Sequence, residues 1–269
     1  MHCEEPEGRK RGTMEIDVSL AFELGPARTA LLAVEAARTK GQDVTEEALE
    51  IEDASLVRCA GEGGIGQRVW ALFPGSQMQL RYRARVAVSR APTRLEGLAA
   101  TPLHELRHEQ LSFLRPSRFC QSEFFEGFVT KTFGDLAGGD RVAAMLDWIG
   151  REMRYVPGHS GSATTLLETF ASRKGVCRDY VHLFCGLARA SHIPARYVSA
   201  YGLRVDPPDF HAVAEVWLGE RWHLVDPSGM CGADELAVIG VGRDAVDVPF
   251  METPDDARLV NMAVSVTAG

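Results

Sequence analysis

The chain lacks any run of roughly 18 consecutive apolar residues, so no helix of the kind that crosses a bilayer is expected. It also lacks a CxxC pair. The spacing of Cys3, Cys59, Cys120, Cys177, Cys185 and Cys231 matches no zinc-finger framework. Residues 1–13 are polar and charged without an apolar signal region, which predicts no export, a cytoplasmic protein and reduced thiols. Long basic stretches are missing: Arg9–Arg11 is short, and the net charge is -8, which excludes nucleic acid and anionic membranes as favoured partners. Internal repeats and low-complexity segments are absent as well. What remains is ordinary globular composition, 269 residues at 45% hydrophobic and 25% charged, enough for one large core or two modest ones.

The patterning divides the chain. Met14 directly precedes a strand-like run, so residues 1–13 read as a loose tail or an upstream start. Met14–Leu20 alternates, Ala30–Ala36 is apolar, Val69–Phe73 follows, and in Leu80–Val88 apolar residues alternate with Arg81, Arg83 and Arg85. Short strands with few helix signals predict a β-sandwich-like domain over residues 14–90. Residues 91–130 carry Pro92, Pro102 and Pro116 and read as a connector. A core is expected over residues 131–235. It begins with a helix over Arg141–Met153 and a capping-box start at Thr165–Glu168 for a short helix ending near Gly175. Val181–Ala190 is the strongest helical segment, stopped by Pro194. Strands are expected over Ala195–Leu203, Phe210–Leu218 and Arg221–Asp226, and residues 236–269 read as a strand-containing tail packing on the core. The fold class is therefore α+β.

One cysteine stands apart. Cys177 follows Gly175–Val176 and precedes the strong helix, so its sulfur lies near a helix N-terminus, where unpaired N–H groups and the dipole favour the nucleophilic thiolate. The carboxylate of Asp179 opposes that effect, or serves as a first-turn acid for the helix. Cys185, inside the helix, reads as core.

A histidine and a carboxylate can be placed by register. Gly219–Glu220 is a two-residue turn with glycine first, as a type II′ hairpin prefers. Leu218 then faces Arg221, Trp217 faces Trp222, and Val213 faces Asp226. His211 lies two residues from Val213 on the same face, so Asp226 is its diagonal neighbour, with Cβ atoms within roughly 8 Å. A carboxylate there can hold one ring nitrogen and leave the other for a thiol. Glu215, on the same face, is the reserve orienter, and a slip of one residue would carry Asp226 to the other face.

These residues resemble the bacterial transglutaminase-like family in Gly175-Val176-Cys177-Arg178-Asp179-Tyr180, in Ile193-Pro194-Ala195-Arg196-Tyr197-Val198, in His211–Val216, and in Trp222 with Asp226-Pro227-Ser228. Upstream, Leu114–Arg118 and Tyr155–Gly158 look like its elements, and so do Gly242–Asp244 and Asp247–Pro249 downstream. The resemblance implies a papain-like core, with a Cys-bearing helix packed on an antiparallel sheet behind the β-sandwich-like domain. It implies a catalytic triad of Cys177, His211 and Asp226 that cleaves or transfers an acyl group from a peptide or protein amide through a thioester, with no cofactor. Cysteine proteases and acyltransferases share that chemistry. An oxyanion donor worth ~2.7–4 kcal/mol is expected from the Cys177 N–H, helped by Tyr155 or Trp148. Two positions depart from the pattern: Val213 stands where tryptophan is common, and His192 where glycine often precedes Ile-Pro.

Other signals compete. His104-Glu105-Leu106-Arg107-His108 satisfies HExxH, and on one helix its histidines could hold zinc for a hydrolase. The segment sits in a charged, proline-bounded connector, so a solvated helix is the blander alternative. Gly61, Gly63 and Gly66 match GxGxxG, but a strand follows, so the run reads as a loop. His182 turns to another side of its helix from Cys177, and Cys231 follows Asp226 closely enough to lie near the site. A third reading is a binding module that keeps the fold without turnover.

Overall fold

The computed structural model describes residues 12–269; Cys3 and Arg9–Arg11 lie outside the described residues. Six strands come first: β1 (Gly12–Leu24), β2 (Thr29–Leu32), β3 (Gln42–Ile51), β4 (Ser55–Ala60), β5 (Gln67–Leu72) and β6 (Gln77–Val88). Gly12 and Thr13 already belong to β1, because they pair with Val88 and Ala87. The strict alternation of β6 buries Met78, Leu80, Tyr82, Ala84, Val86 and Val88 and leaves the arginines outside. There Arg81 pairs with Asp17 and Arg85 with Glu15, cross-strand contacts on a wet face worth little each. β3 is rich in carboxylates, β4 buries no side chain, and their sequences lack the alternation that marks β6.

The connector holds a single helical turn, α1 (His108–Leu111), and the helix α2 (Glu126–Phe133), which the proline-rich composition does not announce. Then follow α3 (Gly138–Glu152), β7 (Arg154–Tyr155), α4 (Leu166–Ser172), β8 (Lys174–Gly175), α5 (Cys177–Ala190), β9 (Ala195–Gly202), β10 (His211–Leu218) and β11 (Arg221–Val225). The chain ends with β12 (Leu236–Gly242), β13 (Met251–Glu252) and β14 (Ala257–Ala268). Thr165 caps α4 by accepting from the Glu168 N–H, and α4 closes on Arg173 in the left-handed region rather than at Gly175.

β9 to β12 form one antiparallel sheet in the order β11-β10-β9-β12. α5 lies against it and is buried almost throughout; Val181, Leu183, Phe184 and Leu187 are fully enclosed, each contributing about 1.5–3 kcal/mol by leaving water. His192, at φ 58, takes the left-handed turn that follows α5.

The tail expected to pack on the core is divided. β12 joins the core sheet, whereas β13 and β14 complete the N-terminal sheets, whose orders are β13-β2-β5-β4 and β14-β1-β6-β3. β14 pairs with β1 along nearly its whole length, from Met14↔Ala268 to Leu24↔Ala257. Composition does not carry that long-range pairing; the exposed edge of β1 needs a partner strand, and β14 supplies it. The N-terminal sheets and the core sheet share a buried seam. Tyr201 of β9 and Ile239 of β12 lie in the N-terminal core, and the Tyr201 hydroxyl donates to the Val34 carbonyl at 2.6 Å.

Candidate active site

The β10–β11 hairpin has the register Leu218↔Arg221, Trp217↔Trp222 and Ala214↔Val225. Carried one step further, it sets Asp226 opposite Val213, diagonal to His211. The turn is type I′ rather than II′: Gly219 has φ 52 and Glu220 φ 61, both left-handed. Both primed turns match strand twist, so the register is the same, and Glu220 adopts a conformation that glycine or asparagine more often fills. His211 Nε2 lies 2.8 Å from Asp226 Oδ2, and the two side chains are 0% and 1% exposed. Asp226 is anchored further. Its Oδ1 accepts from the Ser228 N–H at 2.9 Å and the Ser228 hydroxyl at 2.6 Å, and its Oδ2 accepts from the Cys231 N–H at 3.0 Å. The anchoring by Ser228 and Cys231 escapes sequence reading, although the Asp-Pro-Ser sequence is a turn signal that hints at it.

Those contacts set the charges. Burial pulls the His211 pKa down, but its hydrogen bond to Asp226 and the proximity of Cys177 outweigh it and lift the ring to about 9. Burial pushes Asp226 up, yet its bonds and attraction to His211, with Ser228 and Cys231 behind, hold it below the usual carboxylate range. With Nε2 given to Asp226, Nδ1 is the nitrogen left for Cys177. It is buried and has no hydrogen-bond partner among the described residues.

Cys177 opens α5 and is half-buried. Asp179 Oδ2 accepts from the Val176 N–H at 2.8 Å and from the Ser160 hydroxyl, so the carboxylate caps the helix start and ties it to the loop before α4. Gly175 permits this fold-back: a Cβ there would lie 2.6 Å from the Asp179 Cβ. Tyr155 pairs with Gly175 across the parallel β7–β8 ladder, which brings its phenol beside Cys177. Burial, then the charge of Cys177, pushes the phenol above its ordinary range, while the Cys177 N–H draws it back; the hydroxyl is thus a proton-bearing donor beside the sulfur.

Two candidates are not brought to this point. The Trp148 ring packs between Phe128, at 5.2 Å, and Phe170, at 5.9 Å, under the Arg173 guanidinium at 4.6 Å. No contact sets it beside Cys177, because α3 turns that ring into an aromatic cluster. Glu215 is held by Arg196 at 2.6 Å, four residues along β10 from His211, and is not the orienter. Val213 is wholly buried with Val198 and Leu224. The HExxH segment is not one helix: Leu103–Glu105 is a 3-10 turn, Leu106 is extended, and α1 starts only at His108, so the two histidines share no helical face. Among the described residues no cluster of three or more His, Cys, Asp or Glu side chains could hold a metal. Gly66 of the GxGxxG run sits in the β4–β5 loop at φ 80, where a Cβ would meet the Ile239 carbonyl at 2.1 Å; the glycine serves close backbone approach to β12.

No helix among the described residues is long and apolar enough to cross a membrane. The model of the Transglutaminase-like superfamily matches residues 128–227. An uncharacterized protein of Mycobacterium leprae is 31% identical over 116 residues, covering 40% of this chain and 41% of that one. An uncharacterized protein of Mycobacterium tuberculosis is 30% identical over 135 residues, 43% of each. The matched region therefore spans about two-fifths of the length of these curated relatives. The crystal structure of "a Putative Cysteine Protease from Cytophaga hutchinsonii" covers 97% of this chain and 91% of its own, at 29% identity and a TM-score of 0.89. The likeness to that structure thus embraces the N-terminal sandwich as well as the core. Over residues 128–227, with Cys177, His211 and Asp226 in order along it, this chain carries a transglutaminase-like superfamily domain.

Proposed function

We propose that the protein is a cysteine-dependent amide hydrolase or acyltransferase acting on peptide or protein substrates, with Cys177 as nucleophile, His211 as proton carrier and Asp226 as orienter. One observation carries this reading: His211 is clamped through Nε2 by a fully buried carboxylate, and its other nitrogen is left for a half-exposed thiol at a helix start. The sulfur attacks the amide carbonyl carbon, an S–C bond forms, and the carbonyl electrons move to oxygen. The Cys177 N–H and the Tyr155 hydroxyl are the donors proposed for that oxyanion. As the C–N bond breaks, His211 gives its proton to the leaving amine. Water or an incoming amine then attacks the thioester carbon and passes a proton to His211, and the S–C bond breaks to release the acid or the new amide.

The five cysteines described are all unpaired, which suits the reducing cytoplasm proposed as its location. The test is alkylation by iodoacetamide at neutral pH, read peptide by peptide, with peptide libraries and glutamine–amine pairs as substrates. Cys177 should react faster than a free model thiol, and His211→Ala should abolish the excess. A rate at Cys177 no faster than the model thiol, with no Cys177-dependent product, would leave only a binding module on this fold.

A further inference from the structure

One cleft, about 1010 Å³, excludes the triad. It opens along the seam between the N-terminal sheets and the core sheet. Thr39–Gly41 and Ser89–Arg94 form one wall, and the β10–β11 hairpin with Arg196 forms the other. Clefts at domain boundaries are favoured ligand sites. Its charge runs against the rest of the chain. Lys40, Arg90, Arg94, Arg196 and Arg221 line it, against the carboxylates of Glu215 and Glu220 alone, in a protein of net charge -8. Among the described residues only Arg196 of these cations has a carboxylate within ion-pair distance, that of Glu215. Arg90 is half-buried and bonded only to neutral acceptors, Gln42 Oε1 at 3.0 Å and the carbonyls of Ala233 and Leu236. A partly buried cation without a counter-charge is costly, and an arriving carboxylate would relieve it.

We propose that this cleft docks an acidic, extended polypeptide segment of the substrate. It rests on the reading of the protein as an enzyme of polypeptide amides. Arginine forks match carboxylates, and among the described residues four of the five cations have no carboxylate within ion-pair distance. Trp222, on which the Arg196 guanidinium stacks at 4.2 Å, and Trp217 offer apolar surface between the charges, which suits acidic and apolar side chains in alternation. Glu215 lies four residues from His211 on β10, so the docking cleft stands about 13 Å along the strand from the triad. Substrates would be chosen by a segment remote from the amide attacked.

The test is titration of the full-length chain carrying Cys177→Ala with Ac-Glu-Leu-Glu-Leu-Glu-NH2 and with its glutamine counterpart, followed by tryptophan fluorescence and calorimetry. The acidic peptide should bind at least tenfold tighter than the neutral one and lose at least fivefold between 50 and 500 mM salt. Arg94→Glu with Arg221→Glu should weaken it at least tenfold while the alkylation rate of Cys177 in the otherwise native chain stays unchanged. Arg94→Gln with Arg221→Gln provides a milder pair should the reversal disturb folding. Equal binding of both peptides, insensitivity to both pairs of variants, or tighter binding of tripolyphosphate overturns the docking site, whatever Cys177 does. Slow alkylation at Cys177 with acidic-peptide binding intact would sink the enzyme reading and leave a docking cleft that serves no substrate, which also ends this proposal.

Discussion

Three histidines lie buried among the described residues, and the pockets of two, His211 and His182, differ chiefly in a carboxylate. His211 rests against Asp226, and its pKa rises to about 9 despite burial. His182, fully enclosed on α5, stacks on Phe119 at 5.2 Å and packs tilted against Tyr197 at 5.4 Å. No carboxylate bonds it. Burial, then the charges of Arg178 and Arg189, holds its pKa well below the ordinary value. Its Nε2 accepts from the Ala245 N–H at 3.2 Å, which leaves Nδ1 as a buried donor without a partner. Equal burial thus yields an imidazolium in one pocket and a neutral ring in the other. A buried carboxylate, not burial, decides whether the ring can serve as a proton carrier at neutral pH.

The largest effect should come from erasing that difference. Asp226→Asn makes the His211 pocket resemble that of His182. His211 should then titrate below 6.5 in an NMR titration, and kcat/KM should fall by roughly 10³–10⁴. A His211 resonance still titrating near 9 would contradict the role given to Asp226.

Next comes pH. His211 has a folded pKa raised above its unfolded value, so its contribution to stability is complete below about 6.5 and is lost as pH rises through about 9. Activity that needs the His211 proton should decline over the same alkaline limb. On the acid side Asp226 and His182 both act with depressed folded values. The His182 contribution is present above about 6.5 and erodes as pH falls below it, and that of Asp226 erodes only below its ordinary value of 3.8. Urea unfolding across pH 5 to 10 should therefore show stability falling at both ends.

A smaller effect is expected from Ser228→Ala. It removes a hydroxyl bond to a buried carboxylate and should cost about 1.5–3 kcal/mol, read as a lower Tm, with a several-fold loss in kcat. The smallest is expected from His182→Phe. It fills the stacked pocket and removes the unpaired donor, so activity should stay within a few-fold while the stability loss just below pH 6.5 disappears. A large loss of activity there would mean that the two pockets are coupled.

Much of the site was legible because it is local. The turn at Gly219–Glu220 and period-two alternation carried Asp226 to His211, and an error in turn type left the register intact, since types I′ and II′ both close a two-residue hairpin. Trp148 and Glu215 misled because neither sequence neighbourhood nor residue type reveals which long-range partner a side chain meets. Arg173 and Phe170 hold the first, and Arg196 holds the second. For the same reason β14 was not placed on β1, across more than 200 residues of chain, and the basic cleft was not foreseen, since its cations come from four separate stretches.

The sequence alone determined the helix that presents Cys177 and the hairpin that joins His211 to Asp226. Periodicity, caps and turns act over a few residues, where the backbone has few choices. Tertiary structure decided which strand closes the sandwich, which rings flank the sulfur, where Asp179 spends its charge, and how scattered arginines gather beside Trp222. Those outcomes follow from burial and charge compensation between segments distant in the chain, which no local pattern encodes.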